Sequence, residues 1–275
     1  MKCNEILQQI EQDFPPNKAY EWDNVGLLVG RDDKEIKKIY VALDATDAVI
    51  EDAITWGADM LLTHHPLIFS PLKKVNNQNF ISNRIIQLIQ ADISYYAMHT
   101  NYDIVRMADL ASEMLQLEHT LPLEFTEIEQ KEGLGKIGYV EEGRKITINA
   151  YAKEVKEIFG LKDVKVFSTG DDMDNKLVKK VAILPGSGKS TIETAIRQEA
   201  DILITGDIGH HEGIDASDRG LVILDAGHYG IEHIFIQDMC EYLERMQENM
   251  LEVTKNNHDK LELKGAEIKH PFYTI

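Results

Sequence analysis

Residues 37–65 read KKIYVALDATDAVIEDAITWGADMLLTHH, and the spacing of apolar positions in this stretch decides the fold. Ile39 to Leu43 is a β-rich run. Ala48 to Trp56 carries helical spacing behind three capping candidates, Asp44, Thr46 and Asp47, and Gly57 closes that helix. Met60 to Leu62 is an apolar run too short for a helix, so it reads as a second, buried strand. Strand, helix and strand in this order predict parallel strands joined by a right-handed crossover. The pattern then recurs. Residues 179–207 read KKVAILPGSGKSTIETAIRQEADILITGD and align with 37–65 without gaps at an offset of 142, with ten of 29 positions identical. Shared βαβ patterning explains part of that match, but an ungapped match of this length predicts a duplicated unit.

Outward from the repeats, each runs on to a further strand that ends in a histidine: Ile93 to Met98 leads to His99, and Leu221 to Leu224 leads to His228. Before the first repeat, residues 4–13 have helical spacing with Asn4 as a cap. Glu21 to Gly30 is a loop entering a short strand, in which Asp23 and Asn24 read as a polar turn or as pocket lining. Helices are expected at Ser82 to Gln90 and Val105 to Leu117. Between the repeats, strands are expected at Gly133 to Val140 and Lys145 to Ala150, and a helix at Ala152 to Phe159. A long amphipathic helix follows from Ile231 to Met246, and the tail from Leu261 offers an edge strand or a docking segment. The expected fold class is α/β, with two similar βαβ-containing halves from an internal duplication, residues 1–125 and 126–275. The C-terminal helix is free to pack back on the first half.

The net charge of −18 argues against a nucleic-acid or membrane-surface binder, because both need a basic face. The 43% hydrophobic and 28% charged content is that of a globular chain without a membrane segment. Cys3 and Cys240 form no CxxC pair, which leaves neither a disulfide framework nor a thiolate zinc site. The N-terminus opens directly into the first helical pattern with no signal peptide, so a cytoplasmic location is expected. Leu184 to Thr191, LPGSGKST, follows a strand and precedes a helix as a phosphate loop does. The Walker A pattern needs a glycine where Ile183 stands, and that reading fails.

The chemistry-bearing residues gather at strand ends: His64 and His65, His99 and Asp103, Asp207, His210 and His211, His228 and Glu232. His64 and His65 can serve one site only if the backbone turns there, and Pro66 supplies a turn. His228 and Glu232, four apart, share a face if a helix starts at His228. Imidazoles and carboxylates in this number suit two divalent ions sharing a bridging carboxylate, Zn, Fe, Mn, Co or Ni. Two such ions activate a water lying between them. Asp207, His210 and His211 then orient ligands or carry protons, and His99 is a further proton carrier. Tyr102, Tyr229 and His119 read as packing or surface residues. Lys189 and Arg219 are the cations available to an anionic substrate.

The stretches EWDNVGLLVG, LLTHHPLIF, HTNYD, ITGDIGHHE and DAGHYGIE, in this order, resemble the GTP cyclohydrolase 1 type 2 homologue family, also called Nif-three-like proteins. The resemblance runs nearly end to end. It implies two α/β halves with a dinuclear metal centre between them, and a toroidal homohexamer. By motif match it implies His64, His65, Asp103, His228 and Glu232 as metal ligands, with Glu232 bridging. The family name reflects opening of the guanine ring of GTP, and a metal-dependent hydrolase acting on a nucleotide or phosphoester is the leading expectation; a non-catalytic metal-binding or metal-delivery protein, or a regulatory ring, is the alternative.

Overall fold

The structure is a computed structural model that describes residues 1–125, 133–168, 173–254 and 260–273. In chain order its elements begin with α1 (Cys3–Asp13), β1 (Gly26–Val29), β2 (Lys38–Ala42), α2 (Asp47–Trp56), β3 (Met60–Thr63), α3 (Phe80–Gln90) and β4 (Ser94–Ala97). A helical turn, α4 (Thr100–Tyr102), runs into a π-helical segment at Asp103–Met107 and then α5 (Ala108–Met114). There follow β5 (Glu118–Phe125), β6 (Gly133–Tyr139), α6 (Ile148–Ile158), β7 (Lys165–Phe167), β8 (Lys180–Ser187), α7 (Ile192–Arg197) and β9 (Ile202–Gly206). The chain closes with α8 (His210–Asp218), β10 (Val222–Asp225), α9 (His228–Glu232), α10 (Ile234–Thr254) and β11 (Glu262–Gly265).

Two compact units result. One comprises Met1–Tyr102 with Phe235–Lys269, and the other Asp103–Ile234 with His270–Ile275. The second therefore begins before residue 125, because β5 pairs with β6 in its sheet, and α10 with β11 belongs to the first unit.

The first unit is built on a five-stranded sheet of order β1-β4-β3-β2-β11. Strands β2, β3, β4 and β11 are parallel, and β1 runs antiparallel at one edge. Every residue of β3 and β4 is buried. That is why these strands read as continuous apolar runs rather than alternating ones. Helices α2 and α3 cover one face, packing Ile50, Ala53, Ile85 and Leu88 against Tyr40, Leu61 and Tyr95. The tail strand β11 completes the opposite edge from β1, adding to β2 as an extra parallel strand. The last two residues of the predicted tail, 274–275, lie outside the described residues.

The second unit carries a six-stranded sheet of order β5-β6-β8-β9-β10-β7, with β8, β9 and β10 parallel. Its core joins Leu123, Ile137, Ala182, Leu203 and Ile223 to Ile192, Ala195 and Ala216.

The duplication is visible at the level of single hydrogen bonds. Asp59 Oδ2 accepts from the backbone N–H groups of Lys37 and Lys38 at 2.7 and 2.9 Å. Asp201 Oδ2 accepts from Lys179 and Lys180 at 2.9 and 3.0 Å. Lys38 and Lys180 each reach the last turn of the crossover helix, donating to the carbonyls of Trp56 and Gln198. The repeated spacing in the sequence thus encodes one device used twice. A carboxylate at the start of the second strand pins the start of the first.

Some local expectations are corrected. Asn4 is not the cap of α1: Lys2 occupies that position, its N–H donating to Glu5 Oε2 at 2.9 Å. Thr46, of the three candidates, caps α2 by accepting from Val49 N. Lys145 to Ala150 is not a strand, because Thr147 accepts from Ala150 N and opens α6 there. The stretch Val105 to Leu117 is not one α-helix, its first part being the π-helical segment at Asp103–Met107.

Candidate metal centre

The first unit supplies three imidazoles. β3 stops at Thr63, and the chain bends through His64 and His65 themselves, one residue before Pro66. The bend is held by Tyr95, whose hydroxyl accepts from Leu67 N at 2.8 Å and lies 3.0 Å from the His65 carbonyl. His99 follows β4, the neighbouring parallel strand. His64, His65 and His99 can each offer a ring nitrogen, and these atoms all lie within 4.8 Å of one another.

Every one of these rings has its other nitrogen committed. His64 Nδ1 donates to the Met98 carbonyl at 2.9 Å, His65 Nδ1 to Asp44 Oδ1 at 2.8 Å, and His99 Nδ1 to Asp23 Oδ1 at 2.9 Å. A carbonyl or carboxylate oxygen only accepts, so the proton sits on Nδ1 and the Nε2 lone pair is the atom presented. This is how proteins fix a metal-ligating histidine in tautomer and orientation. Asp23 is itself buried and also accepts from Thr100 N at 3.0 Å and Thr100 Oγ1 at 2.6 Å. Burial alone would raise its pKa. The hydrogen bonds from His99 and Thr100 outweigh burial, and hold the carboxyl well below the usual carboxylate range.

The second unit supplies an imidazole and carboxylates. His228 opens α9, and Glu232 lies four residues on, on the same face. His228 Nδ1 donates to Asp207 Oδ2 at 2.8 Å, while its Nε2 lies 2.9 Å from Glu232 Oε2. With Nδ1 carrying the proton, Nε2 and a carboxylate oxygen are two lone-pair atoms face to face. Only a second proton or a cation makes that approach favourable. The backbone around the pair is shaped for it. A Cβ on Gly186, which has φ +80°, would stand 2.4 Å from Glu232 Oε1, and one on Gly206 would stand 2.4 Å from His228 N. Gly206 is the counterpart of His64 in the repeat. Glycine there admits the His228 backbone, which a side chain at that position would obstruct. Asp103 starts the π-helical segment after α4, and is half-buried. Such π turns are common at functional positions.

Placed against the expectations, Asp207 orients His228, and His99 stands with His64 and His65 as a donor rather than apart from them. His210 and His211 begin α8 with their rings 5.2 Å apart, both exposed. They fall in none of the donor groups among the described residues. Lys189 is paired with Glu212, and Arg219 with Glu193, in solvent-exposed ion pairs. Two residues were undervalued by sequence reasoning. Asp23 read mainly as a polar turn, and Asp44 as a helix cap, although each orients an imidazole.

The chain has two α/β units, each with a parallel core that ends in imidazole or carboxylate groups of the kind that could hold a metal ion. Comparison with known proteins makes the family plain. The family model for Duf34/NIF3 (NGG1p interacting factor 3) matches residues 1–260, and the chain belongs to that family. A relative from Clostridium perfringens, a "GTP cyclohydrolase 1 type 2 homolog", is 34% identical over 266 residues, covering 95% of this chain and 99% of that protein. The solved structure of reduced HcgD from Methanocaldococcus jannaschii is 33% identical, covers 96% of this chain and 97% of its own, and superposes with a TM-score of 0.77. A Bacillus cereus protein related to NIF3, 24% identical over 100% of this chain and 99% of its own, shares the fold with a TM-score of 0.84. Among the described residues no helix is long and apolar enough to cross a membrane.

Proposed function

We propose that this chain is a dinuclear divalent-metal hydrolase, with His64, His65, Asp103, His228 and Glu232 as its metal ligands. The observation that supports it best is the state of the histidines. His64, His65 and His228 each have Nδ1 engaged by an oxygen, which turns Nε2 outward as a ligand atom. Imidazole nitrogen with carboxylate oxygen fits Zn, Fe, Mn, Co or Ni. When bound, two such ions supply Lewis acidity and bring the pKa of coordinated water to near 7.

The residues of the chain do the rest. Asp44 and Asp207 orient His65 and His228, and the Met98 carbonyl does the same for His64. Glu232, buried at the end of α9, would be the carboxylate that the ions share. His99, fixed by Asp23, carries protons to or from the reacting centre, with His210 and His211 at the exposed start of α8 as the alternative carriers. The substrate is a nucleotide or phosphoester, in keeping with the name of the Clostridium perfringens relative. The homohexameric ring and the cytoplasmic location are part of the same proposal.

Turnover of GTP and of a phosphoester panel by metal-loaded protein is the test. The hydrolase reading predicts activity that His65→Ala and Glu232→Gln abolish. Metal that is bound but transferable to a chelator without any turnover would favour a metal-delivery protein instead.

A further inference from the structure

Trp22 is 57% exposed and Phe69 is 55% exposed. One exposed apolar residue needs no explanation. Here the aromatics are assembled. Tyr20 and Trp22 stack with centroids 5.7 Å apart and planes at 12°, and Trp22 meets Phe69 at 5.8 Å. Trp22 also stands edge-on to His99 with centroids 6.0 Å apart, which brings the assembly to the border of the imidazole cluster.

The backbone beneath is tied down on three sides. Tyr20 N donates to Thr100 Oγ1 at 3.0 Å, Asp23 is buried among His99 and Thr100, and Asn24 Nδ2 donates to the Ile68 carbonyl at 2.5 Å. The last of these joins the loop carrying Trp22 to the loop carrying Phe69. A mobile surface loop would have no use for such anchors. They restrain the backbone from which two exposed aromatic side chains project beside three metal-type donors. Preorganised aromatic surface binds flat π-systems with little ordering cost.

We propose that Trp22 and Phe69 form a stacking platform, which holds the planar heteroaromatic ring of a small molecule beside the His64, His65 and His99 cluster. The proposal rests on the metal-site reading, whose substrate it narrows to flat, ring-bearing molecules. Charge favours recognition by ring face. The chain carries −18, Asp23 and Asp44 already flank the imidazoles, and Lys189 and Arg219 are paired elsewhere. A neutral ring brings no net negative charge to a site that already holds carboxylates.

The two tryptophans of the chain, Trp22 and Trp56, allow a direct test. In full-length Trp56→Phe protein, Trp22 is the sole indole, and its emission is titrated with inosine, with ribose and inorganic phosphate as controls. The platform predicts saturable quenching by inosine alone, at least about fivefold weaker in the Phe69→Ala variant. In the wild-type background, equilibrium dialysis of inosine is expected to weaken with Trp22→Ala and to be largely restored with Trp22→Phe. Quenching that never saturates, or that ribose matches, overturns the proposal. So does a blue shift of Trp22 emission with protein concentration that inosine leaves unchanged, since the patch is then a contact between copies of the chain. Metal content measured on the same samples separates the two readings. Lost quenching with metal retained overturns the platform alone, and quenching without metal supports the platform while overturning the metal reading.

Discussion

Replacing Asp23 by alanine tests whether the imidazole cluster is built or incidental. The Asp23 carboxylate is fully enclosed and accepts three hydrogen bonds, from His99 Nδ1, Thr100 N and Thr100 Oγ1, at 2.9, 3.0 and 2.6 Å. Hydrogen bonds to a charged acceptor contribute about 1.5–3 kcal/mol each. They share one acceptor and do not add, so about 3 kcal/mol is the expected loss of stability for Asp23→Ala. Asp23→Asn keeps the volume and one carbonyl acceptor, and is expected to lose about half as much. The assay is urea denaturation followed by tryptophan emission. Trp22 and Trp56 both lie in the first unit, so this signal reports on that unit alone. A midpoint for Asp23→Ala within about 0.5 kcal/mol of wild type would refute the reasoning, since surface polar turns are the class of site that gives such values.

Asp59→Ala and Asp201→Ala each remove a carboxylate that pins two backbone N–H groups, and should cost a similar amount, about 1–2 kcal/mol, by circular dichroism in urea. A cost for one and none for the other would deny that the two devices are equivalent. Gly206→Ala places a Cβ 2.4 Å from His228 N and 2.7 Å from the Gly227 carbonyl carbon, both backbone. Thermal unfolding should register a loss of about 1–3 kcal/mol, accompanied by reduced metal retention as His228 shifts. Burial, with Glu244 and Glu241 nearby, pushes the Cys240 thiol up to about 11, and burial also raises Cys3. A raised thiol pKa leaves little thiolate, so at pH 8 both cysteines should react with Ellman's reagent at under about one hundredth of the rate seen after denaturation.

The parts of the fold legible in the sequence were those where one physical rule acts alone. The buried parallel strands β2, β3, β8 and β9 are apolar runs bounded by a helix with clear ends, and the offset of 142 exposed their duplication. Strands β5 and β7 escaped because their burial is partial and their residues are charged on one side, as in Glu118, His119 and Glu124 or Lys165. Their pairing partners, β6 and β10, make them strands. Ile146 and Ile148 alternate as strand residues do, yet Thr147 between them caps a helix. Donor residues at strand ends were legible because a parallel sheet gathers its C-terminal ends. The carboxylates that orient them were not, since Asp23 and Asp44 sit in turns whose local reading is equally satisfied by a cap or a polar loop.

Elemental analysis of protein purified without chelator tests most directly whether these donors form a metal centre. About two divalent ions per chain are expected. His65→Ala and Glu232→Gln should each lower that ratio to about one or less. A wild-type ratio near zero, or a ratio that neither substitution changes, would contradict the metal reading.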